Sequence, residues 1–234
     1  MAWHELLYQI LTYVNNAILC VIGIPFALQI FYMIFFWVKK KTYKKTTKLN
    51  RVAIIICARN EENVIYTTVK AIFDKQKYPR ELFDVYVVAN NCTDKTFDEA
   101  KRAGATVYKL DDSNPKHHRV SYPLQFAFKK ILEMKKYDFL IRLDADNHIN
   151  DEFISMMNDA FNAGCKIARP YESCLNITDS TFTKACGLYY VFDSRFSSRV
   201  RERFGLDAHV NGPGSMFAME VLEKANGFDA FSIT

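Results

Sequence analysis

The sequence predicts an α/β domain, a mostly parallel sheet with flanking helices, preceded by one transmembrane helix. Three observations lead there. Short apolar, β-branched runs alternate with helical stretches from Arg51 onward, the pattern of a parallel sheet wound with crossover helices. Polar clusters recur where those runs end, at 58–61, 90–94 and 144–147. The 22 residues Ala17–Val38 hold no charge, and about 20 apolar helical residues cross a bilayer.

The elements follow in order. Residues 1–16 form an N-terminal segment whose Leu6–Val14 stretch is amphipathic and either extends the membrane helix or lies on a surface. Within 17–38, Gln29 is the strongly polar residue, and Gly23 and Pro25 are tolerated in membrane helices. A cleaved signal peptide fits poorly, because no Lys or Arg precedes the apolar run while lysines follow it. Residues 39–50 are a basic juxtamembrane linker carrying Lys39, Lys40, Lys41, Lys44, Lys45 and Lys48. By the positive-inside rule the remainder is cytoplasmic, at the cell membrane. The net charge of +5 resides in that patch; without it, 25 basic residues face 26 acidic ones. A local patch of this kind points to anionic membrane lipid and away from nucleic acid. Half of the residues are hydrophobic, which excludes a disordered chain. The six cysteines show no Cys-x-x-Cys spacing, so no zinc or redox motif is present and free thiols are expected.

The domain itself spans 51–234. Residues 52–57 read as a strand buried on both faces, and a helix follows from Asn60 to about Asp74. A second strand covers 83–89, a turn 90–94, a helix 95–103 and a third strand 105–110. A polar loop precedes a helix at 123–134, and the fourth strand, 137–143, runs into Asp144-Ala145-Asp146. Beyond it come a helix at 151–163, a short strand near 167–170, a helix over 180–203, a loop at 211–215, a strand at 216–219 and a turn of helix at 220–225. In such sheets ligands bind at the carboxyl ends of the strands. No Gly-x-Gly-x-x-Gly follows the first strand, so a dinucleotide site is not supported.

Asp144 and Asp146 offer hard oxygen ligands at a strand end. Mg²⁺ is often held by one or two carboxylates together with substrate phosphates. On its own, Asp-x-Asp is also a common solvated turn; its position after the fourth strand gives it weight.

Four blocks together resemble family 2 glycosyltransferases, which have a GT-A fold. They are Cys57-Ala58-Arg59-Asn60-Glu61-Glu62, Val87-Val88-Ala89-Asn90-Asn91-Cys92-Thr93-Asp94, Leu143-Asp144-Ala145-Asp146-Asn147 and Asn211-Gly212-Pro213-Gly214-Ser215. The resemblance implies a metal-dependent transfer, with inversion, from a nucleotide-diphosphate sugar, by default a UDP-sugar. The acceptor would be a saccharide or lipid-linked, and the cofactor a divalent metal, Mn²⁺ or Mg²⁺. It implies that Ala58, Asn60 and Glu61 line the nucleoside pocket and that Asn90 stands where the family commonly has a base-contacting Asp. Asp144 would contact the nucleotide sugar and Asp146 the metal. Gly212, Gly214 and Ser215 would form the acceptor or donor-sugar loop. Arg119 stands near the place of a family phosphate-contacting lysine. Local roles remain open beside these: Asn60 as a helix cap, Glu61 as a dipole partner, Asn90 and Thr93 as turn residues, and the glycines as a plain turn.

In inverting members the base lies in a Thr/Ser-Glu-Asp-like segment shortly after Gly-Phe-Asp. Here Gly227-Phe228-Asp229 is followed by Thr234 at the end of the sequence, so the base is expected beyond Thr234. A non-catalytic membrane-bound binding or assembly module with a degenerate GT-A fold is the alternative expectation. A nucleotidyltransferase would need a Gly-rich, Lys-bearing loop near the first strand, which the sequence lacks.

Overall fold

The run of β-branched residues expected to start the domain forms β1 (Val52–Ala58), and every residue from Val52 to Ile56 is fully buried. Alternation along the strand sends successive side chains to opposite faces, so a β-branched run without polar residues is what a strand covered on both sides requires. The computed structural model describes residues 3–34, 42–112, 114, 120–206, 210 and 212–228, save the side chains of Tyr32, Phe196 and Ser197.

β1 is joined by β2 (Phe83–Asn90), β3 (Thr106–Leu110), β4 (Phe139–Asp144), β5 (Ile167–Ala168) and β6 (Met216–Ala218). They form one sheet in the order β3-β2-β1-β4-β6-β5. β1, β2, β3 and β4 pair in parallel, whereas β6 runs antiparallel to both β4 and β5. The expected mostly parallel α/β sheet is therefore present. One face, through Ile54, Ile56, Val85, Val87 and Ile141, packs on α2 (Ile65–Lys75), α3 (Thr96–Arg102) and α5 (Phe153–Asn162). The other, through Ala53, Ile55, Val88 and Leu140, packs on α4 (Ser121–Met134) and α8 (Met219–Lys224).

The chain divides into two units. One comprises Tyr43–Pro170 with Val210–Thr234 and holds the sheet; the other comprises Met1–Thr42 with Tyr171–His209. In the second, α1 runs unbroken from Trp3 to Ile34, with Pro25 inside it. The Leu6–Val14 stretch thus extends the helix. Residues 35–38 of the expected span lie outside the described residues. α6 (Thr181–Phe192) begins with a capping box in which the Thr183 N–H donates to Ser180 Oγ and the Ser180 N–H to Thr183 Oγ1. It continues through a π-helical stretch, Asp193–Ser198, into α7 (Arg199–Arg203).

The second half of the basic linker is not a free tether. Thr46 N–H donates to Asp159 Oδ1 at 2.9 Å, and Asn158 and Asn162 of α5 both donate to the Lys48 carbonyl at 2.9 Å. Asn50 is buried, with its backbone N–H on Tyr78 Oη at 2.9 Å and its amide on Asn158 Oδ1 at 2.7 Å. Residues 46–50 are thus bound along α5 before the chain enters β1.

Candidate active site at the carboxyl edge of the sheet

Three loops meet at the carboxyl ends of β1, β2 and β4, and the hydrogen bonds show how each is held. The loop after β1 turns sharply because Asn60 adopts φ +57°, a left-handed conformation that asparagine tolerates better than most residues. That turn delays the helix: α2 starts at Ile65, not at Asn60. Asn60 is therefore not its cap. Its Oδ1 instead accepts from the Thr93 N–H at 2.8 Å, across to the loop after β2.

More bonds join the same two loops. The Glu61 N–H donates to Thr96 Oγ1 at 2.8 Å, the Glu62 N–H to Asp94 Oδ2 at 3.1 Å, and the Lys95 N–H to Glu62 Oε2 at 3.0 Å. Burial works against the charge of Asp94, but hydrogen bonds from Thr96 and from the Glu62 N–H hold its carboxyl below the usual value. Asn91, also left-handed at φ +50°, donates to Asn90 Oδ1 at 2.8 Å and accepts from the Asp112 N–H at 2.9 Å. Asn90 is buried. Ala58, the last residue of β1, is buried too, and its carbonyl accepts from the Cys92 thiol at 3.5 Å.

Asp144 ends β4 and Asp146 is exposed. Between them Ala145 is buried, and its carbonyl accepts from the Thr68 hydroxyl of α2 at 2.7 Å. That bond fixes the turn from below and leaves the carboxylates on its flanks. The Asp144 N–H is closed onto Asn147 Oδ1 at 2.8 Å, and Arg142 Nη2 meets Asp144 Oδ1 at 3.2 Å. Burial pushes the Cys57 thiol, paired in register with Asp144, up to about 12, which makes it an inert core group.

The acidic groups feel one another. Partial burial, then the charges of Asp146, Asp94 and Asp144, raises the Glu61 carboxyl above its usual value. Among the described residues, no three His, Cys, Asp or Glu side chains converge as a finished metal cage. Crowded carboxylates short of a full cage suit a cation that takes one or two protein oxygens and completes its shell with phosphate.

The glycine loop lies beside the same strand. The Gly214 N–H donates to the Arg142 carbonyl at 2.6 Å, and the Arg142 N–H donates to the Ser215 carbonyl at 3.0 Å. Gly212 and Gly214 have φ +85° and +78°. A Cβ on Gly214 would collide with Pro170, so this glycine is demanded by packing as well as by conformation. Ser215 is buried, its hydroxyl 3.3 Å from the Gly212 carbonyl. Asn211 and Arg119 lie outside the described residues.

Ala58, Asn60, Glu61, Asn90, Asp144, Asp146, Gly212, Gly214 and Ser215 thus belong to the unit that holds the sheet, on loops bound to one another or to β4. Arg142 and Thr68 escaped the sequence reading. A lone arginine in an apolar strand and a threonine inside a helix carry no motif; only their bonds to Asp144 and Ala145 give them meaning.

A family model described as "Glycosyltransferase like family 2" matches residues 50–234. The chain belongs to that family. Among solved structures, it is similar to a mannosyltransferase from Pyrobaculum calidifontis, in complex with GDP-Man and Mn²⁺. That match has 17% identity and a TM-score of 0.63, and covers 92% of this chain and 58% of the other. It is also similar to S. aureus TarS 1–349 (15% identity, TM-score 0.49, 76% and 50% covered). A third is M. tuberculosis glucosyl-3-phosphoglycerate synthase with Mn²⁺, UDP-glucose and phosphoglyceric acid (14% identity, TM-score 0.46, 74% and 58% covered). The chain therefore spans between half and three-fifths of the length of these proteins. No curated protein sequence matches it. The family 2 glycosyltransferase has the GT-A fold, and α1 is one helix long and apolar enough to cross a membrane, with none of its span buried in the protein.

Proposed function

We propose that this family 2 glycosyltransferase binds a nucleotide-diphosphate sugar, a UDP-sugar, at the carboxyl edge of β1, β2 and β4. It transfers the sugar with inversion to a saccharide or lipid-linked acceptor on the cytoplasmic side of the membrane that α1 crosses. The observation that carries the reading is Asp144-Ala145-Asp146 closing β4, with its central carbonyl bound to Thr68 and its charges felt by Glu61. The Mn²⁺ complex of the similar mannosyltransferase supports a divalent metal.

In this reading Ala58, Asn60 and Glu61 border the nucleoside. The loop bonds from the Thr93 N–H to Asn60 Oδ1 and from the Glu61 N–H to Thr96 Oγ1 hold that border rigid. Asn90 replaces a carboxylate with an amide, which donates as well as accepts. Asp144, steadied by Arg142, faces the donor sugar, and Asp146 holds Mn²⁺ or Mg²⁺. Such a metal stabilises charge that develops on the departing diphosphate. The acceptor hydroxyl attacks the anomeric carbon as the bond to the diphosphate breaks, and its proton passes to a carboxylate base. In this reading Asp144, Asp146 and Glu61 are not that base. Gly212, Gly214 and Ser215 border the sugars. Arg119 completes the phosphate contacts.

Calorimetric titration of UDP into the detergent-solubilised chain, with and without Mn²⁺, tests this. Metal-dependent binding that disappears in Asp146→Ala is the expected result. Absence of binding with and without Mn²⁺ in a chain that melts cooperatively would overturn the donor site.

A further inference from the structure

The unit built by α1 and residues 171–206 carries its polarity the wrong way round for a helical pair in water. α6 buries Gly187, which sits against Ile177 with no room for a Cβ. Three of its large apolar side chains point out: Phe182, Leu188 and Tyr189 are 77%, 68% and 61% exposed, with exposed Ala185 between them. Phe182, Ala185 and Tyr189 follow the three-to-four spacing of one helical stripe. Leu175 adds another exposed apolar side chain just before the helix. Singly exposed apolar residues are ordinary, but a stripe on the outer face of a helix needs a cover.

Two observations say what covers it. The first is contact with α1. The Phe204 ring, just past α7, lies 6.2 Å from the ring of Phe31, and the stretch Asp193–Ser198 packs on the same helix. Phe31 lies inside the uncharged run, seven residues before its end at Val38. A side chain that touches Phe31 therefore stands at the depth of the apolar span. The second is charge. From Arg195 to Arg203 the sequence holds four arginines and one acid, next to the end of α1 from which the lysines follow. Arginines there can extend their stems along apolar surface while their charged heads reach phosphate.

We propose that residues 171–206 are a membrane-interface element. Phe182, Leu188 and Tyr189 dip below the headgroups, and Arg199 and Arg203 contact the phosphates of anionic phospholipid. Such helices lie in the plane of the interface, about 5–10 Å into the headgroup and acyl boundary, and bind more strongly to anionic bilayers. The inference rests on α1 as a membrane helix and is independent of the donor site.

The test uses the full chain with Trp3→Phe and Trp37→Phe, reconstituted into phosphatidylcholine bilayers with or without phosphatidylglycerol. A single tryptophan is placed by Leu188→Trp, or by Val21→Trp on α1 as a reference, and quenched by lipids brominated at shallow or deep acyl positions. The expected result is strong quenching of the Leu188→Trp chain by shallow bromines, and of the Val21→Trp chain by deep ones. The Leu188→Trp signal should fall severalfold without phosphatidylglycerol or with Arg199→Glu and Arg203→Glu. A quenched reference beside an unquenched position 188, whether open to aqueous iodide or shielded by protein, would overturn the proposal. So would quenching at 188 that ignores lipid charge and both arginine substitutions. An unquenched reference would overturn the membrane anchor itself, a separate failure.

Discussion

Glu61 shares the edge of the sheet with Asp94, Asp144 and Asp146, and its raised pKa gives stability a pH dependence of definite sign. The folded chain holds its proton to higher pH than the unfolded chain does. Its contribution to stability is therefore greatest below the ordinary carboxyl value and declines as pH rises through the raised one. We expect Glu61→Gln to flatten that part of the pH–stability curve, measured by urea unfolding without metal. Mn²⁺ with UDP should raise Tm less as pH falls into the carboxylate range, because a proton on Glu61 then relieves the crowding. At Thr68, replacement by Val keeps the shape and removes the hydroxyl that serves the buried Ala145 carbonyl. The expected cost is about 1–3 kcal/mol of unfolding free energy, with weaker Mn²⁺-dependent UDP binding in the same titration. The acidic residues of this site were legible because Asp-x-Asp follows a strand. Arg142 and Thr68 were not: Arg142 stands two residues from Asp144 inside an otherwise apolar strand, and Thr68 meets Ala145 only through packing.

At the scale of elements, β1, β2 and β4 could be read from the chain because burial on both faces leaves β1 an uninterrupted apolar run and β2 and β4 runs broken within by one charged residue each, Asp84 and Arg142. Helix starts were harder. The acidic Glu61 and Glu62 suggest a first turn of helix, but Asn60 at φ +57° and the bonds across to 93–96 keep that stretch a loop until Ile65. The glycine loop separates conformation from packing. Gly164, after α5, has φ +96° and nothing within 4 Å of a would-be Cβ, whereas Gly214 has φ +78° and meets Pro170. Gly164→Ala should therefore cost about 1–2 kcal/mol, the scale of left-handed strain. Gly214→Ala should cost measurably more and also displace the loop from β4, so that unfolding and UDP titration of the two variants diverge. In the linker, composition does not show which backbone groups are bound: Asn158 holds both Asn50 and the Lys48 carbonyl. Asn158→Ala strands several buried groups at once, and a loss of about 3 kcal/mol is expected on the same unfolding scale.

The whole molecule combines two units. The sheet unit starts at Tyr43 and contains the bound stretch 46–50, the site loops and both faces of the core. The other unit joins α1 to 171–209, two stretches far apart in sequence, which is why the uncharged run alone revealed only half of it. This division makes a prediction for a chain shortened to begin at Tyr43. The shortened chain keeps every described residue that borders the proposed donor site, so its Mn²⁺-dependent UDP affinity should match that of the full chain. It also keeps Phe182, Leu188, Tyr189 and the arginines of α7, while losing the helix that Phe204 packs against. It should therefore still float with anionic vesicles but not with neutral ones, and Phe182→Asp with Leu188→Asp should release it into solution without changing UDP affinity. Flotation that persists in the double variant would place the membrane contact elsewhere in the chain. A loss of UDP binding on removing α1, with the cooperative melt intact, would mean that the two units act on the donor together.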